Sequence, residues 1–173
     1  LISKDWDTEN NIFHKYLITP YGITPQNQAI GFSTQNNGGN FTFSKDGSKM
    51  LFTTIRGLIE VLDFDRCSGE FTNVKIIEAE NLSNPPYYYG GSFSPNGNVI
   101  YVTSTSYNAG KYNPSYVFQY DLTASNISST KDTIQIINNQ GQIDETSAMR
   151  LAPDDKIYVT GAWNDGSQNY PYK

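Results

Sequence analysis

The 173-residue sequence predicts an all-β protein built from repeated four-stranded antiparallel units. Three observations lead to this fold class: short β-branched and aromatic runs, turn dipeptides between those runs, and a segment that recurs along the chain. Aromatic residues make up 14% of the chain and charged residues only 17%. This composition favours strands over helices, and the apolar runs do not follow the 3.6-residue period of a helix.

The recurring segment sets the length of the repeating unit. Phe43–Thr53 (FSKDGSKMLFT) is echoed by Phe93–Thr103 (FSPNGNVIYVT), and a third copy at Leu151–Thr160 (LAPDDKIYVT) is shortened in its turn. A second motif also repeats, since VLDFD at Val61–Asp65 matches VFQYD at Val117–Asp121. The spacing between copies is about 50 residues, a period typical of stacked supersecondary units.

Each unit is predicted to contain four short strands, which we call A to D. In the best-defined unit, strand A covers residues 88–94 and strand B covers 98–105, joined by an Asn96-Gly97 hairpin turn. Strand C is expected over 115–122 and strand D over 127–138. Four-stranded units that repeat at this period predict the blades of a β-propeller.

The same phasing divides the chain, taken as a single domain, into two complete and two partial blades. The complete blades are expected at 40–79 and 88–138, with partial blades at 1–33 and 148–173. Because a propeller ring closes with 4 to 8 blades, the sequence predicts an incomplete arc of a larger propeller, with edge strands open to pairing between chains. In the first partial blade, strands B, C and D are expected over 1–6, 11–18 and 23–33.

Several of these segments are similar to a known repeat family. FSPNG at Phe93–Gly97, together with IYVT at Ile100–Thr103 and Ile157–Thr160, resembles the YVTN and WD-like propeller repeats of bacterial surface and secreted proteins. The order of the segments Phe13–Gly22, Phe43–Gly47 and Val61–Gly69 is similar to the propeller regions of large secreted proteins of gliding bacteria. The resemblance covers nearly the whole chain and implies a secreted or cell-surface protein whose propeller is a protein- or glycan-binding scaffold.

The resemblance leaves two other functions open. Similar repeats also form propeller enzymes of the lactonase or glycan lyase type, whose site lies in the central channel. A purely structural spacer is compatible with the same sequence. Fold alone does not choose among these functions.

Charge and motif content exclude other classes of function. The net charge of -5 and the lack of a basic stripe argue against nucleic acid as a partner, and no apolar run approaches the roughly 20 residues of a membrane span. No glycine-rich phosphate loop or nucleophile elbow occurs, so neither a cofactor nor a nucleophilic triad is predicted. The only histidine, His14, is expected to be a packed or exposed strand residue, and no catalytic residue is assigned.

One acidic stretch partly matches a metal-binding loop. Asp5, Asp7 and Glu9 alternate as in the opening of a calcium-binding loop. However, Asn10 and Tyr16 occupy the positions that require glycine and a bidentate glutamate. The stretch is therefore predicted to be a solvated loop, and no metal is expected.

Aromatic residues are concentrated in one set of predicted loops. In a propeller the D–A and B–C connections share one face, here called the connection face, while the A–B and C–D hairpins share the opposite hairpin face. Aromatic rings interleaved with amides suit a protein or carbohydrate partner, although such rings also pack over strand ends. The candidate ligand-binding residues are Tyr87, Tyr88, Tyr89, Tyr107, Tyr112, Trp163 and Tyr170.

Overall fold

The computed structural model describes residues 1–4, 10–34, 38–83, 85–105, 114–137 and 145–162. Within these ranges the regular elements are antiparallel strands and one short 3-10 turn, arranged in four successive sheets. The predicted all-β fold of four-stranded antiparallel sheets is confirmed. None of the described residues forms a helix long and apolar enough to cross a membrane.

The first sheet contains three strands that pair in chain order. These are β1 (Ile2–Lys4), β2 (Asn10–Thr19) and β3 (Gly22–Thr34). They correspond to strands B, C and D of a blade, because β1 pairs with β2 and β2 pairs with β3, all antiparallel.

The second and third sheets are four-stranded meanders, and the fourth sheet contributes two strands. Neighbours along the chain are neighbours in each sheet, as the repeated hairpin signals predicted. The strands of the second sheet are β4 (Gly39–Phe43), β5 (Lys49–Thr54), β6 (Ile59–Asp65) and β7 (Glu70–Glu78); those of the third are β8 (Tyr87–Phe93), β9 (Val99–Thr105), β10 (Ser115–Asp121) and β11 (Asp132–Ile137); those of the fourth are β12 (Glu145–Leu151) and β13 (Ile157–Ala162).

The last strand of the third sheet begins later than the sequence suggested. A 3-10 turn at Ser128–Thr130 precedes it, so the expected start at Ile127 is wrong and β11 starts at Asp132. The Thr130 hydroxyl donates to the Ile127 carbonyl at 2.6 Å, and the Ser129 hydroxyl bonds the chain in the same way. Such local side-chain bonds compete with strand pairing and favour a turn.

The A–B turns of the second and third sheets have the same geometry. Gly47 N–H donates to Ser44 O and Gly97 N–H donates to Ser94 O, each at 2.9 Å. Both glycines have positive φ, +70° and +72°, a conformation that glycine adopts without steric cost. The turn chemistry explains why glycine recurs at this place in the two copies.

Both faces of the second sheet are buried against neighbouring sheets. On β5, Met50 and Phe52 pack with Phe13 of the first sheet, whereas Leu51 packs with Phe93 of the third. This two-sided burial explains why Met50, Leu51 and Phe52 follow one another in β5 without an intervening polar residue. Strand β8 contacts both β4 and β12, so the first strands of successive sheets lie side by side. The chain is thus an arc of a β-propeller.

Two glycines on β8 permit this close stacking. A Cβ atom on Gly90 would lie 2.7 Å from the carbonyl oxygen of Ser147 in the fourth sheet. A Cβ atom on Gly91 would lie 2.5 Å from Cδ2 of Leu51 in the second sheet. Strand β8 therefore needs glycine on both sides because its two neighbours approach so closely.

We expect Gly90→Ala to lower the free energy of unfolding by about 1–3 kcal/mol, because the backbone of Ser147 cannot move aside cheaply. Gly38→Ala is the matched control, since the nearest side-chain atom to its Cβ would be 4.0 Å away. Urea unfolding followed by circular dichroism measures both variants. Equal stability of Gly90→Ala and Gly38→Ala would contradict the tight-packing explanation.

Candidate functional site

The D–A and B–C connections meet at one end of the second and third sheets. Asn81 N–H donates to the Arg56 carbonyl at 2.9 Å, joining a D–A connection to a B–C turn. In the same turn Gly57 has φ of +90°, and a Cβ atom there would lie 2.7 Å from Cδ of Pro86. Pro86 therefore rests on the B–C turn, which fixes the chain just before β8.

Strand β8 opens with a β-bulge that separates its first three tyrosines. Tyr88 pairs with Ser104 and Gly90 pairs with Thr103, so Tyr89 is the extra residue of the bulge. The Tyr89 side chain is 43% exposed, and Tyr87 is half-buried with contacts of its own. A bulge re-aims a side chain, and here it directs Tyr89 outward. Ligand binding by Tyr87 and Tyr89 stays a prediction.

Tyr88 occupies a different environment from Tyr89. Its side chain is fully buried, and its hydroxyl donates to Oε2 of Glu78 at 2.5 Å. This corrects the expectation that its ring lies on the surface with the other candidates. The ring belongs to the core between the second and third sheets.

Four of the seven candidate residues lie outside the described parts of the chain: Tyr107, Tyr112, Trp163 and Tyr170. The acidic stretch Asp5, Asp7 and Glu9 also lies outside them. Across the ranges that the structure describes, no three His, Cys, Asp or Glu side chains are grouped to hold a metal ion.

The remaining sequence candidates have ordinary structural roles. His14 is half-buried on β2, and its Nδ1 lies 2.9 Å from Oδ1 of Asn27 on the paired strand β3. Cys67 is exposed in the turn after β6, where its N–H donates to Oδ1 of Asp65. The position of His14 agrees with the packed or exposed strand residue that the sequence favoured.

A second candidate site lies on the first strands of the sheets. A cavity of about 400 Å³, here called the inner-strand groove, lies over β8 between β4 and β12. In the second sheet Phe43 is 40% exposed, and its ring meets that of Phe64 edge-on at 5.1 Å between centroids. The groove is lined by Phe41, Thr42, Phe43, Lys45, Ser92, Arg150, Leu151, Ala152 and Pro153.

An ion pair links turns from two sheets at the rim of this groove. The Lys45 ammonium donates to Oδ1 of Asp155 at 2.5 Å, although the third sheet separates the two residues in the chain. Both side chains are about half-exposed, so the pair contributes little to stability. Asp155 is also one of two non-glycine residues with positive φ in the described chain.

The sequence did not reveal the inner-strand groove. Lys45, Arg150 and Asp155 fall in segments that recur as strand A and its turn, and those turns look merely polar. Their proximity depends on the curvature of the stacked sheets, which no local pattern encodes. The one available signal was that strand A lines the centre of a propeller, so charged residues next to it face the groove.

A partly buried cluster of ionisable groups joins the second and third sheets. Both carboxylate oxygens of Glu78 accept hydrogen bonds, from Tyr88 at 2.5 Å and from Tyr120 at 2.6 Å. The Lys131 ammonium donates to the same carboxylate at 2.8 Å and lies 4.3 Å from the centroid of the Phe118 ring. Tyr88, Tyr120 and Lys131 of the third sheet all contact Glu78 of the second sheet, so the cluster holds the two sheets together.

Burial and hydrogen bonding act in opposite directions on the Glu78 carboxyl. Burial favours its neutral form, but hydrogen bonds from Lys131, Tyr120 and Tyr88 outweigh burial, so the pKa of Glu78 is lowered. Burial raises the pKa of both tyrosine hydroxyls, and the hydrogen bonds to Glu78 act in the same direction. The two tyrosines thus remain protonated donors.

A second buried pair joins the first and second sheets. The Lys4 ammonium lies 3.7 Å from Oε1 of Glu60, and both side chains are almost fully buried. The ammonium donates to the Phe32 carbonyl at 2.8 Å and lies within 5 Å of the Phe13 and Phe52 ring centroids. The Phe32 N–H donates to Glu60 Oε2 at 2.6 Å.

Burial dominates the protonation of this pair. It raises the pKa of Glu60 and lowers the pKa of Lys4, while their mutual attraction opposes both changes. Gly31, with φ of +83°, leaves space for the carboxylate, since a Cβ atom there would lie 2.6 Å from Glu60 Oε2. The Lys4–Glu60 pair therefore lies within the interface between the first and second sheets.

Comparison with solved structures shows the same fold. A protein from Lactobacillus plantarum is similar with a TM-score of 0.57 and 20% identity, over 91% of this chain and 47% of that one. A protein described provisionally as a 6-phosphogluconolactonase, from Bacteroides uniformis, is similar with a TM-score of 0.58 and 16% identity, over 90% and 42%. An auxiliary nutrient binding protein from Bacteroides thetaiotaomicron gives 0.51 and 12%, over 90% and 41%.

The chain spans less than half the length of these three structures. No family model matches the sequence. No curated protein matches it significantly. At these identities the likeness shows the β-propeller fold alone.

We expect Lys4→Met to lower the free energy of unfolding by about 3–5 kcal/mol, because it leaves the buried Glu60 carboxyl without its counter-ion. Lys156→Met is the control, since its partner Asp154 is solvent-accessible. Adding Glu60→Gln to Lys4→Met should recover part of the loss. Chemical denaturation measures the free energy of unfolding of the wild type and the three variants. Similar losses of stability for Lys4→Met and Lys156→Met would refute the role of Lys4 as counter-ion of Glu60.

We expect Glu78→Gln to destabilise the protein by about 1–3 kcal/mol at neutral pH. Because folding lowers the Glu78 pKa, its stabilisation is complete above the ordinary value of 4.5 and disappears as the pH falls through the folded-state pKa. The stability difference between wild type and variant should therefore shrink below about pH 4.5. Thermal unfolding from pH 3 to pH 7 tests this, with exposed Asp132→Asn as the control.

Proposed function

We propose that this chain belongs to a secreted or cell-surface protein with YVTN or WD-like repeats, and that its connection face binds a protein or glycan partner without catalysis. The observation that carries the proposal is the exposed Tyr89 ring on a fixed support. The bulge after Tyr88 points the ring outward, and Pro86 packed on Gly57 holds the preceding backbone. A rigid aromatic side chain binds a partner at low entropic cost.

The arrangement of ionisable groups also supports binding. Glu60 and the half-buried Glu78 each lie beside a lysine from a neighbouring sheet and accept hydrogen bonds at the sheet interfaces. These contacts hold neighbouring sheets together, which gives both carboxyls a structural role. The nutrient binding protein from Bacteroides thetaiotaomicron has the same fold, which is compatible with a binding role but does not select it.

A channel enzyme of the lactonase or glycan lyase type is the second candidate. One observation favours it, because the inner-strand groove brings Lys45 and Arg150 to the surface that faces the centre of a propeller. Incubation of the protein with a panel of lactones and acidic glycans tests this function. Turnover that depends on Arg150 would support the enzyme function and refute the binding proposal. Absence of turnover together with saturable binding would support the binding proposal.

We expect Tyr89→Ala to weaken binding to the partner by about tenfold or more, because an aromatic anchor at an interface contributes about 1–2 kcal/mol or more. The binding partner is first selected on glycan and peptide arrays, and its affinity is then measured by surface plasmon resonance. Tyr21→Ala is the matched control, because Tyr21 is fully exposed in the β2–β3 turn on the hairpin face. Equal affinity of Tyr89→Ala and wild type would reject the connection face as the binding surface.

A further inference from the structure

One hairpin of the first sheet extends beyond the sheet next to it. The Lys15 ammonium on β2 donates to the Gly69 carbonyl at 2.6 Å and to Oε1 of Glu70 at 3.2 Å. Glu70 belongs to the last residue pair of the β6–β7 hairpin, so Lys15 lies level with the end of the second sheet. Strands β2 and β3 continue for four more pairs, as residues 16–25, which we call the arm. At about 3.3 Å per residue, the arm is about 13 Å long.

The arm is apolar on both of its faces. Ile18 pairs directly with Ile23, so these two side chains share one face, whereas Leu17 lies on the other. The exposed fractions of Ile18, Ile23 and Leu17 are 63%, 64% and 66%, and Tyr21 in the turn is fully exposed. Exposed apolar surface of this kind marks a site for a protein partner or a membrane. A flat partner covers one face of a hairpin, so burial of both faces requires that the arm is inserted.

The arm is also suited to a lipid environment in its polar groups. No charged residue occurs in it. The Tyr21 N–H donates to the Thr19 hydroxyl, which itself donates to the Gly22 carbonyl, both at 3.2 Å. Pro20 and Pro25 have no N–H that would need a partner. Charges and unpaired backbone donors are costly in lipid, and the sequence of the arm limits both.

A cation lies at the base of the arm. A cavity of about 390 Å³ separates the arm from the β6–β7 turn, and its lining includes Leu17, Phe64 and Arg66. Arg66 is exposed, and among the described residues no carboxylate lies within ion-pair distance of its guanidinium. The nearby Glu70 is paired with Lys15. A guanidinium binds phosphate oxygens well, so an uncharged arm with Arg66 at its base matches a phospholipid surface, apolar inside and charged outside.

We infer that the arm inserts into a phospholipid surface and that Arg66 contacts the headgroup phosphates. Apolar side chains of surface-bound proteins are buried about 5–10 Å into the boundary between headgroups and acyl chains. The arm of about 13 Å reaches this depth while the sheets stay outside the lipid. The inference goes beyond the proposed function, because the arm lies on the hairpin face and Tyr89 lies on the connection face.

Flotation of the 173-residue chain with vesicles of phosphatidylcholine and phosphatidylglycerol tests the arm. We expect wild type to float with the vesicles. The double variant Ile18→Thr/Ile23→Thr should bind about tenfold or more weakly, because threonine keeps strand propensity but removes apolar surface. Ile134→Thr/Ile136→Thr is the matched control, since these isoleucines on β11 are 45% and 50% exposed and lie outside the arm.

Arg66→Gln tests the contact with the headgroups. We expect it to weaken vesicle binding about fivefold, because one basic residue near an anionic lipid surface contributes about 1 kcal/mol. Lys156→Gln is the control, since Lys156 is exposed and belongs to the turn between β12 and β13.

Tyr21→Trp reports insertion directly, because the fully exposed turn accepts a larger ring. With vesicles, its fluorescence should shift to shorter wavelength and be quenched by brominated lipid, beyond the signal that wild type gives from Trp6 and Trp163. Tyr89→Trp on the connection face is the matched control and should show no added shift.

Each outcome decides the inference. Vesicle binding that is lost in Ile18→Thr/Ile23→Thr and kept in the β11 double variant supports it. No vesicle binding, equal losses in the two double variants, no effect of Arg66→Gln, or no added shift in Tyr21→Trp would overturn it. Self-association without lipid that Ile18→Thr/Ile23→Thr abolishes would assign the arm to a second copy of the chain and also overturn it. Tyr89→Ala should leave vesicle binding unchanged, so this inference and the proposed function fail separately.

Discussion

The architecture depends on the burial of both faces of a sheet against its neighbours. Alternate residues of β5 enter two different cores, so each core is completed only when the next sheet is in place. The hydrophobic effect then acts between sheets as strongly as within them, and a single sheet does not suffice for stability. The glycines of β8 are a requirement of the same contact, because side chains there would hold the sheets apart.

Polar groups at these interfaces determine how the sheets are aligned. Glu78 binds two tyrosines and a lysine, and Glu60 accepts a backbone N–H while lying near Lys4. Hydrogen bonds are directional, whereas apolar contacts tolerate sliding. These charged groups therefore specify one alignment of sheet on sheet, and within the described residues both interface clusters have a structural role. Surfaces available for partners are formed by other residues, namely Tyr89 and the groove.

Much of the fold could be predicted from the sequence because short turn motifs and repeated segments determine where the strands lie. The Asn96-Gly97 turn and the repeated segment at Phe43 and Phe93 locate strands that the structure contains. The start of β11 was misplaced because serine and threonine hydroxyls after Ile127 bond back to the chain, and strand propensity does not register such bonds. The burial of Tyr88 was missed because it depends on Glu78 of another sheet and on a bulge.

The candidate sites were harder to predict than the strands for the same physical reason. Tyr89 and its neighbours were named because aromatic residues cluster in the sequence. Lys45 and Asp155 are far apart in the chain, and they meet only when three sheets are stacked with a given curvature. Contacts of that kind are properties of the assembly, and composition or spacing does not contain them.

The A–B turns have a consequence for how such a protein lengthens. Each turn is closed by bonds within its own copy, from Gly47 to Ser44 in one and from Gly97 to Ser94 in the other. A duplicated stretch of gene therefore carries a complete hairpin with it and needs no help from the receiving site to form. What the receiving site must supply is a face of matching shape. The number of blades can accordingly change by recombination, while selection acts mainly on the interfaces between old and new blades.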